Sequence, residues 1–316
     1  MQRETPELVQ LIKEFQLPKI DYDTQKHVSF SQMNAYRGCQ YRWKLEYKDG
    51  LKKFTSSSHT TFGTAMHETL QHYLDVLYDE SEEKADDLNL FDLFKENFMK
   101  EYEKQVESNE GGHYMNRAEF EEFYEDGLAI IDCFRVERKA HFWKDKVHLV
   151  GCEVPITINP DPENPNVFYI GYLDVVTYNE NTGTFKIIDI KTSTKGWFKW
   201  ALEDEDKHFQ LLLYKKFFSR QYNIPEEHID IEFFILKRKT WEKSKYPQSN
   251  IQIFEPLSGI MKTNKALDAM TTFIDSCFDN NGKYLEREYP KTPSKKACMF
   301  CPYKNDEELC GEGANF

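Results

Sequence analysis

The sequence predicts an α/β fold, and three observations predict it. Residues 169–178 and 185–191 are two runs rich in β-branched and aromatic side chains. Between them stands the turn Glu180-Asn-Thr-Gly183, where Gly183 can take a positive φ, so the two runs read as a β-hairpin. The helical segment 204–222 then leads to a third apolar run at 229–236. The chain of 316 residues is 40% hydrophobic and 15% aromatic, which is enough to bury a full core.

In chain order, residues 1–28 read as a short helix and a polar connection. Ser31 can cap a helix that runs through Met33 and Tyr36 toward Tyr47, with Cys39 after Gly38 at a bend. Residues 56–61 read as a loop. Phe62, Met66, Leu70, Tyr73 and Leu77 repeat at helical spacing, and Gly63 lies one turn before His67 on the same face. A small residue there lets another element approach beside the imidazole.

Residues 88–143 read as a helical block, with loops at 80–87 and 108–117. One helix carries Phe91, Phe94, Phe98 and Tyr102, and a second carries Phe120, Tyr124, Leu128, Ile131 and Phe134. A strand follows at 147–158, where Glu153 reads as an edge-strand charge or as a further acidic site residue. After the hairpin comes the loop 192–200, which mixes base, hydroxyl and aromatic groups. Trp197 or Trp200 there can stack on a nucleobase or pack into the core, and Lys195 or Lys199 can meet phosphate. A strand at 251–254 and a helix at 258–278 complete the ordered elements.

The hairpin carries the chemistry. Asp174 sits on its first strand. Asp189 and Lys191 sit two residues apart on the second, so their side chains leave one face, while Ile188 and Ile190 leave the other. Carboxylate oxygens are ligands for Mg²⁺ or Mn²⁺. A metal so held acidifies water and offsets phosphate charge, and a lysine beside it stabilises developing negative charge. A D-x-K pair alone also fits a solvated surface hairpin, but an acid within an apolar strand needs a partner. His67 reads either as a core histidine or as a third ligand.

The seven cysteines fall into two groups. Cys133, Cys152 and Cys277 stand in apolar contexts as small core residues. Cys298 and Cys301 have the C-x₂-C spacing of metal ligands, Cys310 follows nine residues on, and Cys39 supplies a fourth thiolate. On geometry alone the four suit zinc or a [4Fe–4S] cluster equally, in a structural role.

The net charge of −13 argues against a protein that coats nucleic acid indiscriminately. Its distribution still allows a groove, with acid gathered at 80–87, 119–126 and 203–206 and base at 44–53, 191–199, 237–245 and 291–296. There is no G-x-x-x-x-G-K-[ST] phosphate loop, so no ATP-driven motor is expected in the chain. No stretch approaches the roughly 20 apolar residues of a membrane span, and no apolar signal region opens the sequence. No membrane partner is therefore expected, and the expected location is cytoplasmic, in a reducing compartment.

Together these residues resemble the RecB-type branch of the PD-(D/E)XK nuclease superfamily, in its cysteine-clustered members. That group includes the AddB nuclease domain, the CRISPR adaptation nucleases and the exonuclease V proteins. The likeness rests on G-x-x-x-H at Gly63 and His67, G-x-x-D at Gly171 and Asp174, D-x-K-T at Asp189, Lys191 and Thr192, and Q-x-x-x-Y at Gln210 and Tyr214. The split cysteines Cys39, Cys298, Cys301 and Cys310 complete it. The chain departs from the pattern at Gln40, where proline is common, and in the long gap between Cys301 and Cys310.

The resemblance implies a restriction-endonuclease-like core with a mixed central sheet flanked by helices. It implies one nuclease domain over 1–316: N-terminal helices at 29–79, a helical insertion at 80–145, the catalytic core at 146–280 and a cysteine-cluster tail at 281–316. It implies a Mg- or Mn-dependent deoxyribonuclease, an exonuclease acting on single-stranded DNA ends. His67, Asp174, Asp189 and the Ile190 carbonyl would hold the metal. Lys191 would be the catalytic lysine, Gln210 and Tyr214 would position it or the DNA, and the cysteines would hold [4Fe–4S]. A separate helicase or recombinase could work beside it. The competing expectations are a DNA-end-binding or scaffold subunit without catalysis and a restriction-type endonuclease.

Overall fold

The computed structural model describes residues 5–53, 55–241 and 243–311. Its helices are α1 (Glu7–Lys13), α2 (Phe30–Gly38), α3 (Gln40–Trp43), α4 (Ser58–Asp79), α5 (Glu82–Asp87), α6 (Leu90–Ser108), α7 (Arg117–His141), α8 (Lys199–Leu202), α9 (Glu205–Tyr222), α10 (Ile260–Cys277) and α11 (Lys295–Cys298). The strands are β1 (Lys26–Val28), β2 (Val147–Ile158), β3 (Val167–Asn179), β4 (Thr184–Ser193), β5 (Ile229–Lys237) and β6 (Ile251–Phe254).

The fold is mixed α/β. Six strands form one sheet in the order β1-β3-β4-β5-β6, with β2 also paired to β3. β3 and β4 are the antiparallel hairpin, closed by Gly183 at φ +67°. β4 and β5 are parallel and need the crossover that α9 supplies. β6 returns antiparallel to β5, and β1 runs parallel to β3.

The contacts divide the chain into two compact units, each built from separated stretches. The first comprises residues up to Gln16, Ser56–Pro155 and Tyr172–Thr263. The second comprises Leu17–Thr55, Ile156–Gly171 and residues from Asn264 onward.

In the first unit α4 packs on α6 and α7, and their shared interior is aromatic. Phe62, Phe94, Phe98 and Phe134 are fully buried, and the cluster continues onto Val175, Ile188 and Ile190 of the hairpin. Alternation therefore gives one face of β4 to this helical layer. The opposite face meets α9, where Phe185 packs against Phe218 with ring centroids 5.5 Å apart. Asp189 and Lys191 share that second alternation, between a helix and the sheet.

In the second unit Trp43 is fully buried among Tyr36, Phe273, Phe278, Tyr284 and Tyr289.

Several boundaries differ from the sequence reading. Ser29 rather than Ser31 caps α2, its hydroxyl accepting from the Gln32 N–H. α2 ends at Gly38, where a bend or end was expected, and the extended Cys39, at φ −160°, separates it from α3. α4 begins at Ser58, inside the expected loop. The acidic stretch 80–87 contains α5, whose N-cap is Ser81. At α2 and α5 a serine hydroxyl caps the helix start, and α5 adds two first-turn acids, signals that apolar spacing alone does not carry.

Candidate active site

Lys191, at the end of β4, is the meeting point of the site. Its ammonium lies 2.8 Å from Asp189 Oδ2. It also donates to Gln210 Oε1 at 3.0 Å, and Gln210 Nε2 donates to Tyr214 Oη at 3.0 Å. Gln210 and Tyr214 are one turn apart on α9, so the helix holds the lysine from one side while β4 offers it from the other. Burial works against the charge, but Asp189 and then Asp174 outweigh it. The ammonium is held above its usual range and stays protonated.

Asp174 stands on the neighbouring strand. Val175 pairs with Ile188 across the hairpin, and the next step of that register brings Asp174 beside Asp189. Asp174 Oδ2 accepts from the Ile190 N–H at 2.7 Å and lies 3.6 Å from His67 Nδ1. Burial pushes the Asp174 carboxyl up to about 6, against the pull of Lys191 and of the Ile190 hydrogen bond. Asp189 is 1% exposed. Burial raises it likewise to about 6, against Lys191 and with help from the Asp174 charge. Beyond the Lys191 contact, neither of its oxygens has a hydrogen-bond partner among the described residues.

His67 comes from α4. Burial lowers its pKa first and the Lys191 charge second, leaving a neutral imidazole near pH 7 that also hydrogen-bonds with the Ile190 backbone. Gly63 makes this approach possible. A Cβ at that position would lie 3.2 Å from Thr192 Oγ1, so α4 and the end of β4 meet at a spot where only hydrogen fits comfortably.

Two further residues belong to the cluster. Gln71 Nε2 donates to Glu153 Oε1 at 2.7 Å and to the Asp174 carbonyl at 2.9 Å. Glu153 is exposed, takes a left-handed φ of +50°, and its charge acts on His67, Asp174 and Tyr214. A non-glycine residue held there stores strain of a kind common at functional sites. The sequence reading placed Glu153 on an edge strand or in the site, and it did not name Gln71. The signal for Gln71 was its spacing: it lies one turn after His67 on α4.

The donor set suits a hard divalent cation: two carboxylates, one of them with orphaned buried oxygens, a neutral imidazole and a backbone carbonyl. In the conformation seen, no group of three or more His, Cys, Asp or Glu side chains among the described residues is placed to hold a metal ion. Lys191 stands against the Asp189 oxygen that a cation would use.

The four cysteines named from the sequence line one pocket in the second unit, with Arg42, Lys291 and Lys304 around it. All are free thiols. Burial raises the Cys301 thiol above its usual range, and the neighbouring Cys310 and Cys298 add to that. Soft thiolates ringed by cations suit zinc or an iron–sulfur cluster. Here too the described side chains do not close a metal-holding group.

The basic stretches 44–53 and 237–245 carry residues paired with acids. Lys44 pairs with Asp49, Lys48 with Glu286 and Lys53 with Asp306. Arg238 and Lys239 both pair with Asp126. Among the described residues no helix is long and apolar enough to cross a membrane.

The family model described as the PD-(D/E)XK nuclease superfamily matches residues 27–306. Among solved structures, the chain is similar to a protein of Eubacterium rectale provisionally described as an exonuclease. The identity is 14% and the TM-score 0.48, over 91% of this chain and 99% of that one. A weaker likeness is to Scheffersomyces stipitis Rai1, a structure with (3'-NADP)+ and calcium. There the identity is 11% and the TM-score 0.21, over 93% of this chain and 83% of that one. No curated protein matches.

Proposed function

The chain belongs to the PD-(D/E)XK nuclease superfamily, and from that premise we propose that it is a Mg- or Mn-dependent deoxyribonuclease acting on single-stranded DNA ends. The observation that carries the reading is the Lys191 ammonium, shared between Asp189 at 2.8 Å and Gln210 at 3.0 Å, beside Asp174 and His67. These are groups that suit phosphodiester hydrolysis, with Asp174, Asp189 and Lys191 on one sheet face and His67 and Gln210 brought to them by α4 and α9.

Asp189, Asp174 through the oxygen not engaged by Ile190, His67 and the Ile190 carbonyl would hold the cation. A divalent cation there supplies Lewis acidity toward the phosphate and acidifies a water. Asp189 and Asp174 would bring negative charge to the cation, whose charge would favour their ionised forms against the desolvation that raises both carboxyls. Lys191, which Gln210 also holds, would stabilise negative charge developing on the water and the phosphate oxygen. Gln210 and Tyr214 fix its direction, since a lysine stem is flexible and its ammonium has three rotatable donors. Gln71 holds Glu153 against the back of Asp174.

Cys39, Cys298, Cys301 and Cys310 would hold a [4Fe–4S] cluster, or zinc in its place, as a structural tie within the second unit. The cationic residues around the pocket support that reading because they offset four thiolates. Free thiols throughout support a reducing, intracellular location.

The test is digestion of single-stranded DNA labelled at either end, with Mg²⁺ or Mn²⁺, by anaerobically purified wild type and Lys191→Ala. Cleavage by wild type alone, advancing from an end, is the expected result. Internal fixed products would replace the exonuclease with an endonuclease. Cleavage by the variant would overturn the assignment of Lys191.

A further inference from the structure

Lys207 lies 4.7 Å from the ring centroid of Trp197 and 5.5 Å from that of Trp200. We propose that this ammonium, with Trp200 and Phe198, forms a nucleotide-binding subsite. It would take a phosphate and an unstacked base of a single strand next to the phosphate at Lys191. The proposal rests on the nuclease reading of the Lys191 site and adds to it where the substrate is gripped.

Three observations carry it. The first is exposure: Trp200 is 69% and Phe198 56% exposed. Large aromatic faces left in water beside a lysine offer what a nucleotide needs, a stacking surface and a cation. The second is charge. In a chain of net charge −13, where Lys44, Lys48, Lys53, Arg238 and Lys239 are paired with acids, no carboxylate pairs with Lys207 among the described residues. A cation resting on two indole faces stays available to an anion.

The third is placement. Lys207, Gln210 and Tyr214 fall at i, i+3 and i+7 on α9 and share one face. At 1.5 Å rise per residue, Lys207 stands roughly 4.5 Å along the helix axis from the glutamine that holds Lys191. The ledge is also rigid at its root. Gln252 accepts from the Trp197 N–H at 2.8 Å and donates to the Trp197 carbonyl at 2.9 Å, and the Trp197 ring packs on Phe233 at 4.8 Å. Trp197 is thus the fixed post, and Trp200 and Phe198 are the open faces. A base can stack on these faces in single-stranded substrate, but not while it is paired and stacked inside a duplex.

The experiment measures binding without metal, so that no cleavage intervenes. Wild type, Trp200→Ala, Lys207→Gln and Trp241→Ala are titrated in chelator with fluorescent oligothymidylate and with an abasic strand of equal length. Trp241, also 69% exposed but on the loop after β5, is the comparator. Trp200→Ala should weaken oligothymidylate about tenfold and leave the abasic strand within about twofold, because only the bases stack. Lys207→Gln should weaken both strands alike, by about threefold to tenfold, and flatten the salt dependence.

With Mg²⁺, Trp200→Ala should raise KM at unchanged kcat. Wild-type binding by both ledge variants, or an equal loss in Trp241→Ala, would overturn the subsite. If wild type cleaves nothing while the ledge variants still lose binding, the subsite stands and the nuclease reading falls. If Lys191-dependent cleavage is found with no ledge effect, the reverse holds.

Discussion

Lys191 and Asp189, two residues apart on one strand, form an ion pair at 2.8 Å that leaves the buried Asp189 carboxylate with no other partner among the described residues. Such a pair is a poor stabiliser, since desolvation offsets most of its attraction. Its sense is chemical. The lysine neutralises a carboxylate that a bound cation would neutralise in its place.

Lys191→Ala should therefore lower the cleavage rate by at least about 10²–10³-fold, the usual loss on removing a group that meets developing negative charge. The melting curve should keep its shape and cooperativity, because the Lys191 side chain is a third exposed. The rate is read with end-labelled DNA and the fold by circular dichroism. Residual cleavage within about tenfold of wild type would remove the lysine from the chemistry.

The cation's own effect is measurable without any substrate. Mg²⁺ or Mn²⁺ at about 100 times its dissociation constant should stabilise the protein by about 2.7 kcal/mol if it binds only the folded state. In Asp189→Asn this rise in melting temperature should vanish. A rise of the same size in the variant would place the cation elsewhere.

Gly63 and Thr192 give a test of positioning. Gly63→Ala puts a methyl 3.2 Å from Thr192 Oγ1, so α4 or the end of β4 must move by a few tenths of an ångström. His67 travels with α4. The expected result is roughly a tenfold loss of kcat with a small change in stability. Adding Thr192→Ala removes the atom in the way and should restore part of the loss; a double variant no better than the single one would locate the strain elsewhere.

How much of this was legible beforehand depended on the kind of signal. The hairpin was readable because period-two alternation separates Asp189 and Lys191 from Ile188 and Ile190 within a few residues. The Gln210–Tyr214 pair was readable because helical spacing is local. The interruption at Cys39 was readable from the glycine before it, although its fully extended backbone was not. Glu153 was only half readable: its side chain meets Gln71 on a helix distant in sequence, and its left-handed φ has no local sequence signal. The pairing of the basic clusters with acids was invisible for the same reason, since Arg238 and Asp126 are far apart in sequence and meet only when α7 packs by the end of β5.

Asp86 provides a pH prediction away from the site. Burial alone would raise its carboxyl, but the Tyr73 hydroxyl, donating at 2.7 Å, and the Arg138 guanidinium hold it below the usual range. A depressed acid contributes stability that is present above its unfolded value, about 3.9, and is lost as pH falls through the folded value. The wild-type melting temperature should therefore fall more steeply than that of Asp86→Asn on going from about pH 5 to pH 3. Parallel curves would mean that the carboxylate adds nothing specific.

The cysteine pocket gives the last prediction. Four thiols that line one cavity, with Arg42, Lys291 and Lys304 around them, are costly to bring together as thiolates unless a metal shares their charge. Cys301→Ser should remove visible absorbance and bound iron from anaerobically purified protein, and lower the melting temperature by several degrees, because metal affinity there is folding energy. Zinc in place of iron in the wild type would keep the structural role and change the metal. Equal melting temperatures and no metal in either protein would mean that the four thiols serve only as small apolar packing.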